Sequence, residues 1–394
     1  MKILHINMLF TPRRFGGAEV FLERFAADLV GRGHQVQVAC LSPEPEQHGN
    51  EQLQVHEFKL RNVYWPFDGA EHPRWKKAVW HLRNSFGRGS AADIDALLAS
   101  EKPDLVHTHN LFGFTSAVWP RIAARGIPLV HTIHDYALLC PSTTMFRREE
   151  NCQSQCLGCR VLSWPKPAHS EAVTAVVGCS DFVLQRHVRN GYFARASQHV
   201  IHSGDPHDHG QVAPARTPET AVLRVGYLGR LAPSKGLELM LDSLAPLIPD
   251  QCEVRVAGTG PTDYEDSLKS RYAPQGVHFV GRVQPGEFLA DLDLLVVPSQ
   301  WQEPFGLVVR EAMNAGVPVV ASAVGGIPEI VQHGRNGFLF EPTDGTALRS
   351  HVSRLACDRD LHRQLTSTCR AEADTCKFDR TVDSYRNVYA QTLN

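Results

Sequence analysis

The sequence predicts an α/β protein of two domains, each built on a parallel β-sheet. Short apolar strands alternate with amphipathic helices from one end of the chain to the other, a pattern typical of parallel α/β sheets. A chain of 394 residues is too long for one compact core and fits two domains of ordinary size. A polar stretch at 205–220, rich in His and Pro, indicates a linker, and a second α/β series begins after it.

The first half is predicted to open with a strand at Lys2–Met8, a glycine loop and a helix from about Ala18 to Val30. Gly31 and Gly33 end that helix, because glycine is favoured just beyond a helix C-terminus. The later strands predicted in this half are Gln35–Cys40, Leu105–His107, Leu129–Thr132 and Ala175–Cys179.

The second half is predicted to open with a strand at Leu223–Leu228. The strands predicted after it are Cys252–Ala257, Val277–Val280, Leu294–Val297 and Val317–Ala321. Apolar residues at helical spacing predict a final helix over Phe378–Leu393. The residues that carry this spacing are Val382, Tyr385, Tyr389 and Leu393.

Composition excludes several classes of protein. The formal net charge of −2 argues against a dedicated nucleic-acid binder, which would carry a strong basic excess. No apolar run reaches the ~18 residues that a membrane span needs. The start of the chain is too short and too quickly polar for a signal peptide. Ten cysteines without an export signal indicate reduced thiols, so the sequence predicts a cytoplasmic protein.

Glu303 and Glu311 stand eight positions apart and flank a predicted anion site. Residues 304–306 suit a turn, and Leu307–Ala315 is predicted to form a helix. The first turn of a helix presents unpaired N–H groups and partial positive charge, so it can hold a diphosphate. Each carboxylate can accept hydrogen bonds from two hydroxyls of one sugar ring. Sugar, diphosphate and ribose together make a nucleotide sugar; the alternative is a pair of surface glutamates on an ordinary helix.

A loop with two cations, Arg230 and Lys235, follows the first strand of the second half. Parallel sheets bind ligands at the carboxyl ends of their strands. Arg230 can bind a diphosphate through two parallel hydrogen bonds, and Lys235 can act as a point charge. We therefore expect this loop to neutralise a diphosphate.

The glycine pair Gly16-Gly17 follows the first strand and opens a helix. Adjacent glycines allow the backbone to approach a ligand closely, and a helix start favours negative charge. A flexible strand-to-helix turn is the alternative. The G-x-G-x-x-G fingerprint of dinucleotide binding does not occur in the sequence.

The glycine pair, the Arg/Lys loop and the Glu pair, in this order, resemble the retaining glycosyltransferases of family 4. The resemblance covers essentially the whole chain. It implies the GT-B fold, in which two Rossmann-like domains face a central cleft. By this resemblance, residues 1–204 would bind the acceptor and residues 205–377 the nucleotide-sugar donor. Residues 378–394 would form a helix that returns to the N-terminal domain.

The resemblance also implies roles for the motif residues. Glu303 would bind hydroxyls of the donor hexose, and Glu311 would bind the ribose. Arg230 and Lys235 would contact the departing diphosphate. The backbone groups that would meet the sugar and diphosphate are those of Phe305, Gly306 and Leu307. The loop that would lie over the donor phosphate contains Gly16 and Gly17.

Histidines end two neighbouring predicted strands, in His107-Thr108-His109 and His131-Thr132-Ile133-His134-Asp135. By the resemblance, His109 would meet the donor sugar near its reacting carbon. His134 and Asp135 would line the acceptor side. A lone histidine at a strand end is more often structural, but two such strand ends favour a functional interpretation.

Four cysteines fall within twenty residues. They are Cys140, Cys152, Cys156 and Cys159. Four thiolates could hold a structural zinc ion. The gap between Cys140 and Cys152 is not a familiar zinc spacing, so a loop of reduced thiols is the alternative.

Residues 61–90 combine six basic and two acidic side chains with interleaved aromatic residues. Among these aromatic residues are Trp65, Phe67, Trp75 and Trp80. This composition suits a weak contact with an anionic membrane or a lipid diphosphate acceptor. A charged, partly packed helix is the plainer alternative.

Together these features predict transfer of a hexose from a nucleotide sugar to a hydroxyl of a carbohydrate or lipid-linked acceptor, with retained configuration. The resemblance places such an enzyme in bacterial cell-surface polysaccharide or glycolipid assembly. By the same resemblance, the enzyme would require no metal for catalysis and no cofactor besides the nucleotide-sugar co-substrate. A sugar-nucleotide epimerase of the same fold is the main alternative. A nicotinamide oxidoreductase and a non-catalytic binding protein are further alternatives.

Overall fold

The computed structural model describes residues 1–13, 16–87, 90–207 and 222–393, without the side chains of residues 374 and 376. Most of the predicted linker, residues 208–220, lies outside the described residues, as does Arg88. The chain divides into two compact units. The first comprises Met1–Met145, Cys152–His202 and Thr381–Asn394, and the second comprises Phe146–Asn151 and Ser203–Arg380.

The strands are β1 (Lys2–Ile6), β2 (Gln35–Ser42), β3 (Gln47–Gly49), β4 (Leu53–Lys59), β5 (Leu105–Thr108), β6 (Leu129–Ile133), β7 (Phe146–Arg147), β8 (Glu150–Asn151), β9 (Ala175–Gly178), β10 (Ser197–Val200), β11 (Leu223–Leu228), β12 (Cys252–Ala257), β13 (Val277–Gly281), β14 (Leu294–Val297), β15 (Val319–Ser322) and β16 (Gly337–Phe340). The helices are α1 (Gly17–Gly31), α2 (Arg74–Phe86), α3 (Ala91–Glu101), α4 (Val118–Ala123), α5 (Leu157–Ser163), α6 (Pro165–Ser170), α7 (Asp181–Val188), α8 (Leu237–Leu244), α9 (Thr262–Tyr272), α10 (Pro285–Ala290), α11 (Leu307–Asn314), α12 (Gly345–Cys357), α13 (Arg359–Glu372) and α14 (Phe378–Leu393).

The sheet of the first unit has the strand order β10-β9-β6-β5-β1-β2-β4-β3. The edge strand β3 runs antiparallel to β4, and the other described neighbours are parallel. Every strand predicted in this half is present. Strand β4 was not predicted, because polar residues such as His56 and Glu57 interrupt its apolar pattern. Neighbouring strands β1, β5 and β6 end at the same edge of the sheet, which brings their terminal histidines close together.

The sheet of the second unit is parallel throughout its described strands, in the order β13-β12-β11-β14-β15-β16. Its strands bury Val and Leu side chains against α8 and α12. Each such side chain contributes ~1.5–3 kcal/mol when fully buried. Strands β11 and β14 are hydrogen-bonded neighbours. The loops that follow them, 229–236 and 298–306, therefore leave the same edge of the sheet.

The final helix α14 has the predicted bounds, and residues 381–394 belong to the first unit. The Tyr385 hydroxyl lies 3.1 Å from the Thr132 hydroxyl, and the Tyr389 hydroxyl lies 2.6 Å from His107 Nδ1. Both tyrosines are buried, whereas Leu393, which shares their spacing, is exposed. These hydrogen bonds fix the C-terminal helix to strands β5 and β6.

Candidate functional site

Two loops of the second unit interlock and bring Lys235 and Glu303 together. The loop after β11 turns at Gly236, where φ is +70° and a side-chain carbon would lie 1.9 Å from the carbonyl oxygen of Pro298. Only glycine therefore fits this approach. The Gln300 N–H donates to the Ser234 carbonyl oxygen over 2.8 Å. The two loops are held in direct backbone contact as a result.

The buried Glu303 carboxylate accepts two hydrogen bonds on its Oε1 atom. The donors are Lys235 Nζ and Ser299 Oγ, each 2.6 Å away. The Lys235 ammonium also lies 5.2 Å from the centre of the Trp301 ring. The sequence singled out Lys235 and Glu303 separately and did not predict their ion pair. Ser299 and Trp301 were missed, although both lie within four residues of Glu303 in the loop after β14.

A glycine turn after β15 holds the backbone of Glu303. At Gly325 φ is +57°, and a side-chain carbon there would lie 1.9 Å from the Glu303 carbonyl oxygen. The Gly326 N–H donates to that same oxygen over 2.8 Å. This turn, Gly325-Gly326-Ile327-Pro328-Glu329, has a positional role, because it sets where the Glu303 carboxylate lies.

The short β7–β8 hairpin supplies a further support, Asn151, which the sequence did not single out. The Asn151 side chain donates to the Gln300 carbonyl oxygen over 2.7 Å. Its Oδ1 atom accepts the Gln302 N–H over 2.9 Å. One amide therefore holds the backbone on both sides of Trp301, two residues before Glu303. No local signal in the sequence links positions 149 residues apart.

Helix α11 begins after Gly306, at φ +95°, and confirms the helix predicted there. Its first-turn N–H groups have no intrahelical acceptors, so the helix start can hold an anion. Phe305 is buried, and the Arg310 guanidinium lies 5.8 Å from the centre of its ring. Phe305 therefore anchors the turn by its side chain and leaves the backbone of Gly306 and Leu307 at the helix start.

Glu311 lies buried one to two turns inside α11. Burial, followed by the charge of Asp205, raises the pKa of Glu311 to about 8. The Asn314 amide donates to Asp205 over 2.8 Å, and His207 Nε2 lies 3.8 Å from Glu311 Oε1. The sequence did not predict this acidic neighbour or the raised pKa, because Asp205 lies more than 100 residues away.

Arg230 differs from Lys235 in being exposed. Its carbonyl oxygen accepts the Tyr227 hydroxyl over 2.8 Å, which fixes the backbone. In the described part of the chain, the Arg230 guanidinium has no hydrogen-bond or ion-pair partner. The guanidinium is therefore available to an anionic ligand.

The first unit contains a chain of three hydrogen-bonded histidines at the ends of β1, β5 and β6. His5 Nδ1 lies 3.1 Å from His109 Nε2, and His109 Nδ1 lies 3.0 Å from His134 Nε2. Burial lowers the pKa of His5 to about 3 and that of His134 to about 4. Burial, followed by the neighbouring histidines, also lowers the pKa of His109 well below its usual range. All three rings are therefore neutral near pH 7.

The ring nitrogen at the His5 end of the three-histidine chain determines where the ring protons lie. His5 Nε2 is buried and has no partner among the described residues. A proton on that atom would be an unsatisfied donor, so it lies on Nδ1 and is donated to His109 Nε2. His109 then carries its own proton on Nδ1 and donates it to His134. The sequence predicted His109 and His134 but missed His5, because its role depends on the pairing of β1 with β5.

His107 lies beside this chain and has a structural role. Its Nδ1 atom lies 2.6 Å from the Tyr389 hydroxyl and its Nε2 atom 2.7 Å from the Thr132 hydroxyl. Ring nitrogens of His5, His107 and His109 lie close enough to share a metal ion. Both nitrogens of His107 and of His109 are already hydrogen-bonded. This group is therefore a hydrogen-bond network rather than a set of free ligands.

A small pocket lies beside the histidine chain and is lined by residues 109–111, 131–135, 137 and 138. Burial raises the pKa of Asp135 to about 6, although its Oδ1 atom accepts the Ala137 N–H over 2.7 Å. The buried Lys166 ammonium donates to the Ala137 carbonyl oxygen over 2.9 Å, and burial lowers its pKa to about 8. Lys166 was not predicted.

Gly16 and Gly17 lie where helix α1 starts, as predicted. Gly16 is extended, and a side-chain carbon there would meet only Glu19 Oε2, at 3.9 Å. The Gly16 N–H donates to that buried carboxylate over 2.8 Å. One donor of this helix start is therefore already satisfied within the protein.

Cys159 approaches two of the other clustered cysteines, Cys140 and Cys156. The Cys140 and Cys159 sulfurs are 3.8 Å apart. Burial and the neighbouring Cys140 and Cys156 thiols raise the pKa of Cys159. No three of these four sulfurs lie within 4.8 Å of one another. Cys152 N–H donates to the Met145 carbonyl oxygen over 2.7 Å, which fixes the loop backbone.

The basic segment contains helix α2. Trp80 is buried and donates its Nε1–H to the Tyr64 carbonyl oxygen over 3.1 Å, so it belongs to the core. Trp65 and Phe67 are half-buried against each other, and Trp75 is exposed. Within the described ranges, no helix has the length and apolarity to cross a membrane.

Two family patterns match the chain. The pattern described as Glycosyltransferase Family 4 matches residues 15–208, and that described as Glycosyl transferases group 1 matches residues 223–358. A Klebsiella pneumoniae protein, described as an uncharacterized 42.6 kDa protein in the cps region, is 28% identical over 84% of this chain and 87% of its own length. D-inositol 3-phosphate glycosyltransferase from Streptomyces scabiei is 28% identical over 74% of this chain and 68% of its own length.

Solved structures share the fold over the whole chain. Sucrose-phosphate synthase from Thermosynechococcus elongatus has a TM-score of 0.78 at 20% identity, covering 99% of this chain and 98% of that one. HepE from Anabaena, solved in complex with UDP, has a TM-score of 0.74 at 21% identity, covering 99% of this chain and all of that one.

Two sheets of parallel strands and these neighbours show the GT-B fold, as the sequence predicted. The chain belongs to glycosyltransferase family 4, whose members transfer a sugar from a nucleotide donor. The matches give no support to the epimerase alternative.

Proposed function

We propose that this enzyme transfers a hexose from a nucleotide sugar to a hydroxyl acceptor with retention of configuration, and that it acts in the assembly of a cell-surface polysaccharide or glycolipid. The observation that carries this proposal is the Lys235–Glu303 ion pair next to the start of α11. It combines a cation for the leaving diphosphate with a carboxylate for the sugar hydroxyls.

The contacts of this pair suit a donor sugar diphosphate. An ammonium has three N–H donors, and Glu303 takes one from Lys235, so others remain for the diphosphate. Glu303 uses Oε1 for both internal bonds, which leaves Oε2 to accept sugar hydroxyls. The exposed Arg230 and the N–H groups of Gly306 and Leu307 complete the anion site, and Glu311 binds the ribose. Such preorganised donors stabilise the charge that develops on the leaving group.

The histidine chain supports the transition state without adding charge. His109 is neutral and is held in one orientation by its hydrogen bonds to His5 and His134, and we place its ring near the reacting carbon. His134 and Asp135 line the acceptor side. We place the acceptor's proton on the departing phosphate, in a front-face attack within an ion pair. This mechanism needs no metal and no carboxylate nucleophile.

The test combines product stereochemistry with one substitution. The purified enzyme is incubated with a panel of nucleotide sugars, and the anomeric configuration of the product is read by proton NMR. We expect the donor's configuration in the product. Glu303→Ala should lower turnover by about 10²–10³-fold or more, while Glu341→Ala, an exposed glutamate of the same unit, should change it little. An inverted product, or a Glu303→Ala variant with wild-type turnover, would disprove the proposal.

We propose secondly a structural zinc ion held by Cys140, Cys152, Cys156 and Cys159, for which one sulfur–sulfur distance fits and the other sulfurs would have to move closer. A tetrahedral site with Zn–S bonds near 2.3 Å has sulfurs about 3.8 Å apart, which is the separation of Cys140 and Cys159. Metal analysis should find about one zinc per chain, lost in Cys159→Ser. Fully stable and active protein without metal would favour the reduced loop.

A lipid-linked acceptor would bring the enzyme to the inner face of the membrane. We propose that α2 and its flanking basic residues make weak contact with anionic lipids there, so that the enzyme is cytoplasmic and peripheral. Basic residues near such a surface contribute about 1 kcal/mol each, and salt weakens the attraction.

A further inference from the structure

The first unit exposes two apolar helix stripes that its fold does not use. On α2 the exposed residues are Trp75, Leu82 and Phe86. On α5 and at the residue that caps its C-terminus they are Leu157, Val161 and Trp164. Trp75 is 68% exposed, and Leu157 and Trp164 are each 78% exposed. Side chains of this size are rarely so exposed without a function, particularly as a group.

The spacing places each set on one face of its helix. Residues 75, 82 and 86 are seven and four positions apart, and residues 157, 161 and 164 are four and three apart. At about 100° per residue, each set falls within ~60°. The buried Trp80 and Asn84 lie on the opposite side of α2, and the buried Ser163 on the opposite side of α5. Both apolar stripes therefore point away from the interior.

The two helices pack against each other, so the stripes belong to one surface. We call these six residues the apolar face. The charged residues of these two helices have one sign. Arg74, Lys77 and Arg83 are exposed on α2, and Arg160 is exposed on α5, while neither helix contains a carboxylate. An apolar face rimmed by cations is typical of surfaces that lie in the interface of an anionic bilayer.

We propose that the apolar face inserts into the interfacial region of an anionic membrane, with α5 as an anchor that complements the basic helix α2. This inference rests on the proposed function, in which the acceptor is linked to a lipid. It adds that apolar side chains insert into the membrane, besides the attraction between charges. Charge on α2 selects anionic lipid, and the apolar side chains give a component of binding that survives high salt.

The cysteine loop gives α5 a fixed base. Cys159 lies within α5, on the side away from the apolar face, and its sulfur contacts Cys140. Gln155, just before α5, donates to the Leu139 carbonyl oxygen over 2.7 Å. The helix is therefore attached to the body of the unit and presents Leu157, Val161 and Trp164 outward.

The test measures co-sedimentation with vesicles of phosphatidylcholine alone or mixed with phosphatidylglycerol, at low and high salt. Three variants are compared: an anchor variant (Leu157→Ser, Val161→Ser and Trp164→Ser), a charge variant (Lys76→Glu and Lys77→Glu), and Val280→Ser as an exposed apolar control in the second unit. Melting temperatures confirm that each variant folds.

We expect wild type and Val280→Ser to bind anionic vesicles at low salt and to keep a measurable fraction bound at high salt. The anchor variant should lose the salt-resistant fraction, by on the order of 10-fold in partition coefficient. The charge variant should lose the preference for anionic lipid. Lipids brominated in the acyl chain should quench tryptophan emission in wild type and less in Trp164→Phe.

Two results would overturn the proposal. One is an anchor variant that binds as wild type does. The other is that the apolar face forms a dimer interface. In that case the wild type would be a dimer in the absence of vesicles, and the anchor variant would be a monomer. Hydrolysis of the donor in the absence of acceptor and vesicles is measured in parallel. A wild-type enzyme that hydrolyses the donor but binds no vesicles would be a third such result and would refute the membrane contact alone. A wild-type enzyme without hydrolysis would question the transferase site instead.

Discussion

The two candidate sites bury polar groups in opposite ways. In the second unit, Lys235 and Glu303 form an ion pair, so that charge is retained where a charged ligand is expected. In the first unit, His5, His109 and His134 are hydrogen-bonded to one another and remain neutral, because burial penalises the imidazolium form. The comparison teaches that buried polar groups can keep their charge in an ion pair or lose it in neutral rings. Under the proposed function, the second unit would counter the charge of the ligand, and the first would orient groups without adding charge.

The largest expected effect follows from removing the cation of the second unit. Lys235→Ala leaves the buried Glu303 carboxylate with only the Ser299 hydroxyl as a described partner, and removes charge from the leaving group. We expect turnover to fall by about 10²–10³-fold, together with a lower melting temperature, because an unpaired buried charge is costly.

Arg230→Ala is the matched comparison. The Arg230 guanidinium is exposed, so its removal should change the melting temperature little. The substitution should still weaken the binding of a nucleoside diphosphate, as measured by calorimetry. If Lys235→Ala and Arg230→Ala lowered the melting temperature equally, the ion pair of Lys235 would not be what sets the two cations apart. If neither variant changed the affinity for a nucleoside diphosphate, the diphosphate would bind at another place.

A smaller effect concerns Glu311. This buried carboxyl lies in the second unit, yet it is largely protonated near neutral pH and so resembles the neutral groups of the first unit. A ribose bound by the ionised form should bind more tightly as pH rises through about 8. We expect nucleoside-diphosphate affinity to increase several-fold between pH 7 and 9 in calorimetry. In Glu311→Gln the affinity should be lower and independent of pH over that range.

Stability should respond in the opposite direction to affinity. The folded state holds the Glu311 proton more tightly than the unfolded chain does, since burial raises its pKa to about 8. The stability contribution of this carboxyl is therefore present at low pH and is lost as pH rises from the unfolded value towards 8. Glu311→Gln should flatten this part of the melting-temperature profile.

The smallest expected effect is that of His5, which orients His109 without contacting substrate. His5→Phe keeps a ring in the core but removes the donor to His109 Nε2. Turnover should fall by on the order of 10-fold, and the ¹⁵N shifts of the His109 ring should show a change of tautomer. His187→Phe is the control, because that histidine is also buried but bonds only its own helix carbonyl at Val183 among the described groups. A wild-type His109 spectrum in His5→Phe would refute the orienting role.

The sequence predicted the framework of both sites better than their internal contacts. Alternating apolar strands and glycine turns are local signals, so β1, β11, α11 and α14 were found close to their observed bounds. Glu303, Glu311 and Lys235 were singled out because their motifs are contiguous, and their roles stay predictions. The ion pair, the Asp205–Glu311 proximity and the His5–His109 bond were missed, because each joins residues from distant strands or loops. The buried position of Trp80 was missed because composition alone does not tell a core tryptophan from a surface one.

The hairpin Phe146–Asn151 bears on how such enzymes can be recombined. By contacts it belongs with Ser203–Arg380, although more than fifty residues separate the two stretches in the chain. A chimera that exchanged only residues 203–380 with a relative would leave Asn151 behind and place a foreign loop at 300–302 opposite it. A chimera should therefore acquire the donor preference of a relative only when the hairpin is exchanged together with residues 203–380. The exchangeable unit then consists of two separate stretches of the sequence.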